Sequence, residues 1–85
     1  MINRVKEYRV AKSLTQQQLA DMVHVSSRTI ISIETGQYNP SLLLAYRISL
    51  VLDCPIRELY SLDQNLQEED SAQATRDAKK SKEKR

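Results

Sequence analysis

A chain of 85 residues, 40% hydrophobic and 28% charged, has room for one small domain of modest stability, because a short chain buries only a limited fraction of its surface. Its single cysteine, Cys54, excludes an internal disulfide, no cluster of His, Cys and acidic residues has metal-ligand spacing, and no apolar run is long enough for a signal peptide or a membrane span. The formal net charge of +2 neither demands nor excludes a nucleic acid, since electrostatic binding depends on where the cations sit.

Residues 1–62 hold nearly all the branched aliphatics and every tyrosine, show only helical periods, and place the single glycine and both prolines at breaks. That pattern predicts an all-α domain over 1–62, followed by a polar tail over 63–85. The first segment, about Arg4 to Lys12, puts Val5, Tyr8 and Ala11 on one face, with Ile2 just before it. The second opens with Thr15 and Gln18 in the pattern of a capping box, and Leu14 with Leu19 can close over it as a hydrophobic staple. The third opens at Ser26, repeats the staple with Val25 and Ile30, and should end near Gly36, a good helix C-cap. Between the second and third, "HVS" is too short to let two helices part, so they must pack at a steep angle. The fourth follows "YNPS", with Asn39 or Ser41 as cap, and runs to about Leu52 with Leu42, Ala45, Ile48 and Leu52 facing inward. A brief fifth segment, "PIRELY", carries Ile56, Leu59 and Tyr60. In the tail, Leu66 is the only large apolar residue, so no core can form there; disorder or a frayed helix is expected. The tail's charges sum to zero but it ends basic, from Arg76 through Lys79, Lys80, Lys82, Lys84 and Arg85. A solubilising tail is the simpler reading; a basic arm adding phosphate contacts is the other.

At about 100° per residue, a third segment centred on the buried pair Ile30 and Ile33 points Arg28 and Thr35 away from the core, with Ile31 and Ser32 beside them. Ser27, Thr29 and Glu34 fall on the flanks. One guanidinium, one isoleucine and small hydroxyls suit a helix lying in a groove better than a solvated one. The DNA major groove admits such a helix. Arg28 can donate two bonds to guanine, Ile31 can touch a thymine methyl, and Ser27 or Ser32 can bond base or phosphate. Taken alone the face decides little, because surface isoleucines are ordinary and serines near helix starts are often only caps. Neighbouring residues add weight: the helix openings at Gln16 and Ser26 can seat phosphate, and "GQYNP" supplies Gln37, Tyr38 and Asn39 near the far end of the third segment.

Together, Tyr8 and Arg9, "LTQQQLA" (14–20), Val25 and Ser26, Thr29 and Ile30, Ile33 and Glu34, Gly36, "NPSL" (39–42) and "IRELY" (56–60) resemble the helix-turn-helix domains of the phage repressor and Cro type. The resemblance spans Val5 to about Leu62. It implies a five-helix repressor-like fold in which the third helix reads DNA, with base contacts at Ser27, Arg28, Ser32 and Ile31. It also implies phosphate contacts at Gln16, Ser26 and Asn39, and a structural ion pair between Arg9 and Glu34. Two departures stand out. His24 occupies a turn position where the family often has glycine, and Ser27–Arg28 follows "VS" where many relatives carry arginine and then glutamine.

The function expected is a sequence-specific transcriptional regulator, a repressor or autoregulator, binding an inverted-repeat operator in double-stranded DNA as a homodimer. Its half-sites would lie about 34 Å apart. Candidate dimer residues are the apolar groups left after the core is filled: Leu43, Leu50, Val51, Ile56, Tyr60 and Leu62. The alternative is a protein-binding adaptor or antitoxin on the same fold, with the charged tail folding on its partner. An enzyme is rejected: there is one histidine, no glycine-rich phosphate loop and no acid–base pair. No metal, cofactor, small-molecule ligand or membrane is expected. The setting expected is a prokaryotic cytoplasm, on the nucleoid when DNA is bound.

Overall fold

The structure, a computed structural model, describes residues 1–76. These form six helices and no strand: α1 (Val5–Ala11), α2 (Gln16–Met22), α3 (Ser27–Glu34), α4 (Leu42–Leu52), α5 (Ile56–Leu59) and α6 (Leu62–Arg76).

Local chemistry sets where the helices start. The Thr15 hydroxyl accepts from the Gln18 N–H at 3.0 Å and the Gln18 side-chain oxygen accepts from the Thr15 N–H at 2.8 Å, so the capping box is closed at both ends. Ser26 accepts from the Thr29 N–H at 3.2 Å, and Ser41, not Asn39, caps α4 by accepting from the Leu44 N–H at 3.2 Å.

Helix ends follow one device. After α1, α2, α3 and α4 the chain passes through a left-handed residue, at Ser13 (φ 59°), His24 (φ 64°), Gly36 (φ 81°) and Asp53 (φ 55°). Each turn satisfies two orphan carbonyls. After α2, the Val25 N–H reaches the Ala20 carbonyl at 3.0 Å and the His24 N–H reaches that of Asp21 at 3.4 Å. Behind Ser13, His24 and Asp53 comes an apolar residue, Leu14, Val25 or Cys54, that folds back on the core. His24 therefore holds the turn in the left-handed region without being glycine, and the "HVS" connection carries the chain from α2 into α3.

Val5, Leu19, Ala20, Val23, Ile30, Ile33, Ile48, Leu52 and Leu59 form the centre of the core, each at most 2% exposed. Two expectations change. Leu42 is 77% exposed: as the first residue of α4 its side chain leans back off the helix end, and half-buried Leu44 packs on the core instead. In α1 it is Arg9, not Ala11, that joins Val5 and Tyr8 on the inner face, which a charged residue can do only with a partner. The start of the tail, expected as disorder or a frayed helix, runs as helix α6 from Leu62 to Arg76. Ser61 (φ 48°) turns the chain, Arg57 binds Asp63 across the turn at 2.9 Å, and Asn65 ties the first turn to the domain. Residues 77–85, with most of the basic cluster, lie outside the described residues.

At Gly36 a Cβ would stand 2.9 Å from the Met1 carbonyl oxygen, on top of a backbone that L side chains resist. Gly36→Ala is expected to destabilise the fold by about 1–2 kcal/mol, which urea denaturation will measure. A change near zero would show that the left-handed turn carries no strain.

Candidate nucleic-acid interface

The centre of the site is α3, held from within at three points. Ile30 and Ile33 are fully buried, and Glu34 meets Arg9 of α1 with Nε to Oε2 at 2.6 Å. The side chains of this pair are 10% and 3% exposed. Arg9 Nη1 also donates to the Leu14 carbonyl at 2.7 Å, and Gln16 Nε2 donates to Glu34 Oε1 at 3.1 Å, so one buried carboxylate links α1, α2 and α3. Buried charges persist only when so satisfied.

With that face locked, the opposite one is free. Arg28 and Thr35 are exposed, Ile31 is 43% exposed, and Ser27 and Ser32 are half-buried beside them. Arg4, Arg9 and Arg57 are each taken by a carboxylate, whereas Arg28, like the exposed Arg47 of α4, enters none of the ion pairs found among the described residues. A guanidinium that serves no internal partner, on a helix braced by its other side, is available to an external acceptor.

Around α3 the other expected contacts fall as follows. Gln37, Tyr38 and Asn39 are all exposed just beyond its end, where the Gln37 and Tyr38 N–H groups donate to the Ser32 carbonyl at 3.0 and 3.1 Å. Ser26 is exposed, its hydroxyl engaged with the Thr29 N–H and, at 3.1 Å, the Thr29 hydroxyl. Gln16 is half-buried; its bond to Glu34 uses one of two amide hydrogens and leaves the other to point elsewhere.

The apolar candidates divide. Leu43 (72%), Leu50 (62%) and Leu62 (39%) are exposed, and Tyr46 (53%), which the sequence reading omitted, lies on the same helix as the first two. Val51 and Ile56 are half-buried against the core. Tyr60 is corrected: its ring is 1% exposed and its hydroxyl donates to the Ala45 carbonyl at 3.1 Å, so it is a core residue and offers nothing to a partner. Burial pushes its phenol above the ordinary tyrosine range, which keeps it a donor.

A helix-turn-helix family model matches residues 5–59. The chain belongs to the helix-turn-helix family. An HTH-type transcriptional regulator of Archaeoglobus fulgidus is 42% identical over 64 residues, 75% of this chain and 90% of that one. One from Methanocaldococcus jannaschii is 43% identical, covering 71% and 91%, and YgzD of Bacillus subtilis is 36% identical, covering 75% and 97%. Among solved structures, the restriction-modification controller protein C.AhdI of Aeromonas hydrophila superimposes with a TM-score of 0.62 at 35% identity, over 67% of this chain and 83% of that one. This is a family of DNA-binding transcriptional regulators, not of enzymes. Among the described residues no helix is long and apolar enough to cross a membrane.

Two residues of the helix-turn-helix domain's surroundings escaped the sequence reading. Asn3 Nδ2 donates to the Ile33 carbonyl at 2.8 Å, and Asn65 bonds both backbone groups of Ile2. Asn65 stands in a polar run with nothing to mark it, and Asn3 carries only the weak signal of an asparagine before a helix.

Proposed function

We propose that this protein is a sequence-specific repressor or autoregulator that binds an inverted-repeat operator as a homodimer, working on the nucleoid in a prokaryotic cytoplasm. The observation that carries the reading is Arg28: exposed and outside every ion pair found among the described residues, on a helix whose other side is fastened by Ile30, Ile33 and the Arg9–Glu34 pair. Arg28 would read a guanine, Ile31 a thymine methyl, and Ser27 and Ser32 the adjoining edges. Gln16, Ser26, Gln37, Tyr38 and Asn39 would bond phosphates on either side and so set register without reading sequence.

Two-fold symmetry supports the reading energetically, since one short helix makes few base contacts and a second copy doubles them. Leu43, Tyr46 and Leu50 leave an apolar patch on α4, which is the kind of surface an isologous contact uses. Leu50→Glu is expected to shift the protein to monomer in sedimentation and to lower operator affinity, leaving the fold unchanged because Leu50 is 62% exposed. The decisive experiment is selection of bound sites from random duplex DNA: a short palindrome should emerge. A chain acting instead as an adaptor for another protein would enrich no site.

A further inference from the structure

The helix α6 lies outside the residues that match the family, yet it is fastened to the end of α3. The fastening runs through the first three residues. Asn65 Oδ1 accepts from the Ile2 N–H at 2.9 Å and Asn65 Nδ2 donates to the Ile2 carbonyl at 2.6 Å, so one carboxamide holds both backbone groups of Ile2. The same Nδ2 reaches the Tyr60 and Ser61 carbonyls at 2.8 and 3.0 Å, at the end of α5. A carboxamide has two N–H groups, so with three acceptors it is saturated and its orientation is fixed. Next along the chain, Asn3 Oδ1 accepts from the Val5 N–H at 3.1 Å while its Nδ2 donates to the Ile33 carbonyl in the last turn of α3. The Met1 amino group donates to the Gly36 carbonyl at 3.1 Å, backbone against backbone, at a point where any side chain on residue 36 would intrude.

We infer that Asn65 is a positioning residue for DNA recognition: through Ile2 and Asn3 it sets where α3 ends and where residues 37–39 stand against the phosphates. The inference rests on the DNA reading above. Ile30, Ile33 and the Arg9–Glu34 pair hold the body of α3 without help from α6, so the strap acts on its last turn and on the segment leaving it. That segment carries three of the five expected phosphate contacts, and contacts of this kind lose their value when displaced by a fraction of an ångström. Loosening the strap therefore leaves the domain folded while blurring its register on the duplex.

The test uses the full chain as wild type, Asn65→Ala and Asn3→Ala. Two quantities are measured: binding to the site the wild type selects relative to a scrambled duplex, and native-state hydrogen exchange at the Gln37 and Tyr38 amides. Both variants are expected to lower discrimination by about tenfold. Both should also speed exchange at Gln37 and Tyr38 while the amides of Leu19 and Val23 in and after α2 keep their protection. Unchanged discrimination between the two duplexes, unchanged exchange at Gln37 and Tyr38, or exchange that rises equally at all these amides overturns the inference, the last because it marks a general loss of stability. If Asn65→Ala does not fold, Asn3→Ala breaks the same strap at its other end and decides the matter. A wild-type chain that selects no duplex removes the DNA reading and the specificity claim with it, and the exchange result then separately decides whether α6 holds the end of α3.

Discussion

Arg9→Ala is expected to destabilise the domain by at least about 3 kcal/mol, as the loss of one partner from a buried ion pair does. Its partner's carboxylate is 3% exposed and would keep only the Gln16 amide, at 3.1 Å, in place of the guanidinium now 2.6 Å away. An ionised group stranded in this way loses its water and its counter-charge together. Small domains are stable by little more than about 5 kcal/mol, so the loss should be visible as a fall of about 12–24 °C in Tm. Glu34→Ala strands the guanidinium instead, though the Leu14 carbonyl at 2.7 Å softens the effect. Replacing both, as Arg9→Met with Glu34→Leu, should recover much of the stability, because well-packed apolar side chains can match a buried ion pair. Urea denaturation of the two singles and the double closes the cycle. A single-variant loss below about 1 kcal/mol would mean that the pair is solvated in solution and braces nothing.

The cycle also separates two roles of the pair. Stability recovered in the double variant without recovery of DNA binding would show that the ion pair orients α3 more finely than apolar packing does. The triangle of Arg9, Gln16 and Glu34 is the only place among the described residues where a buried carboxylate touches three helices, and two of those helices carry the expected DNA contacts.

What could be read from the sequence was local. Thr15 with Gln18, Ser26 and Gly36 act within four residues of themselves, so the chain spells out its helix ends wherever capping chemistry decides them. The outward face of α3 was legible for the same reason, since Ile30 and Ile33 define its inner side by periodicity alone. Errors came where a neighbour decides. A helical wheel cannot tell that the layer beneath α4 stops short of Leu42, nor that Tyr60 finds the Ala45 carbonyl and stays inside. What fastens α6 could not be read either, because Asn65 acts on Ile2 across the whole domain. As for Arg9 and Glu34, the residues themselves said only that Glu34 sits on a flank; the pairing came with the family resemblance, and at His24 the turn takes the left-handed φ of 64° that the family's glycine would serve at less cost.

Arg28→Ala is expected to weaken site-specific binding sharply while leaving the fold untouched. The side chain is exposed and contributes to no ion pair among the described residues, so Tm should stay within about 2–4 °C of wild type, as for surface substitutions in general. A bidentate arginine–guanine contact is worth about 1–3 kcal/mol, and in a two-fold complex the residue occurs twice, so the loss on a palindrome should reach about 2–6 kcal/mol. Binding to unrelated duplex should fall far less, because it loses one general cationic contact per subunit and no base edge. Arg28→Lys separates charge from geometry: it keeps the cation and most non-specific binding, but its ammonium cannot form the planar fork, so discrimination at one base pair of each half-site should relax. Equal losses on specific and scrambled DNA for Arg28→Ala would place this arginine on a phosphate, and the base reading would then have to pass to Ser27, Ile31 and Ser32, side chains that can sense a methyl or a single acceptor but cannot alone distinguish guanine by two bonds.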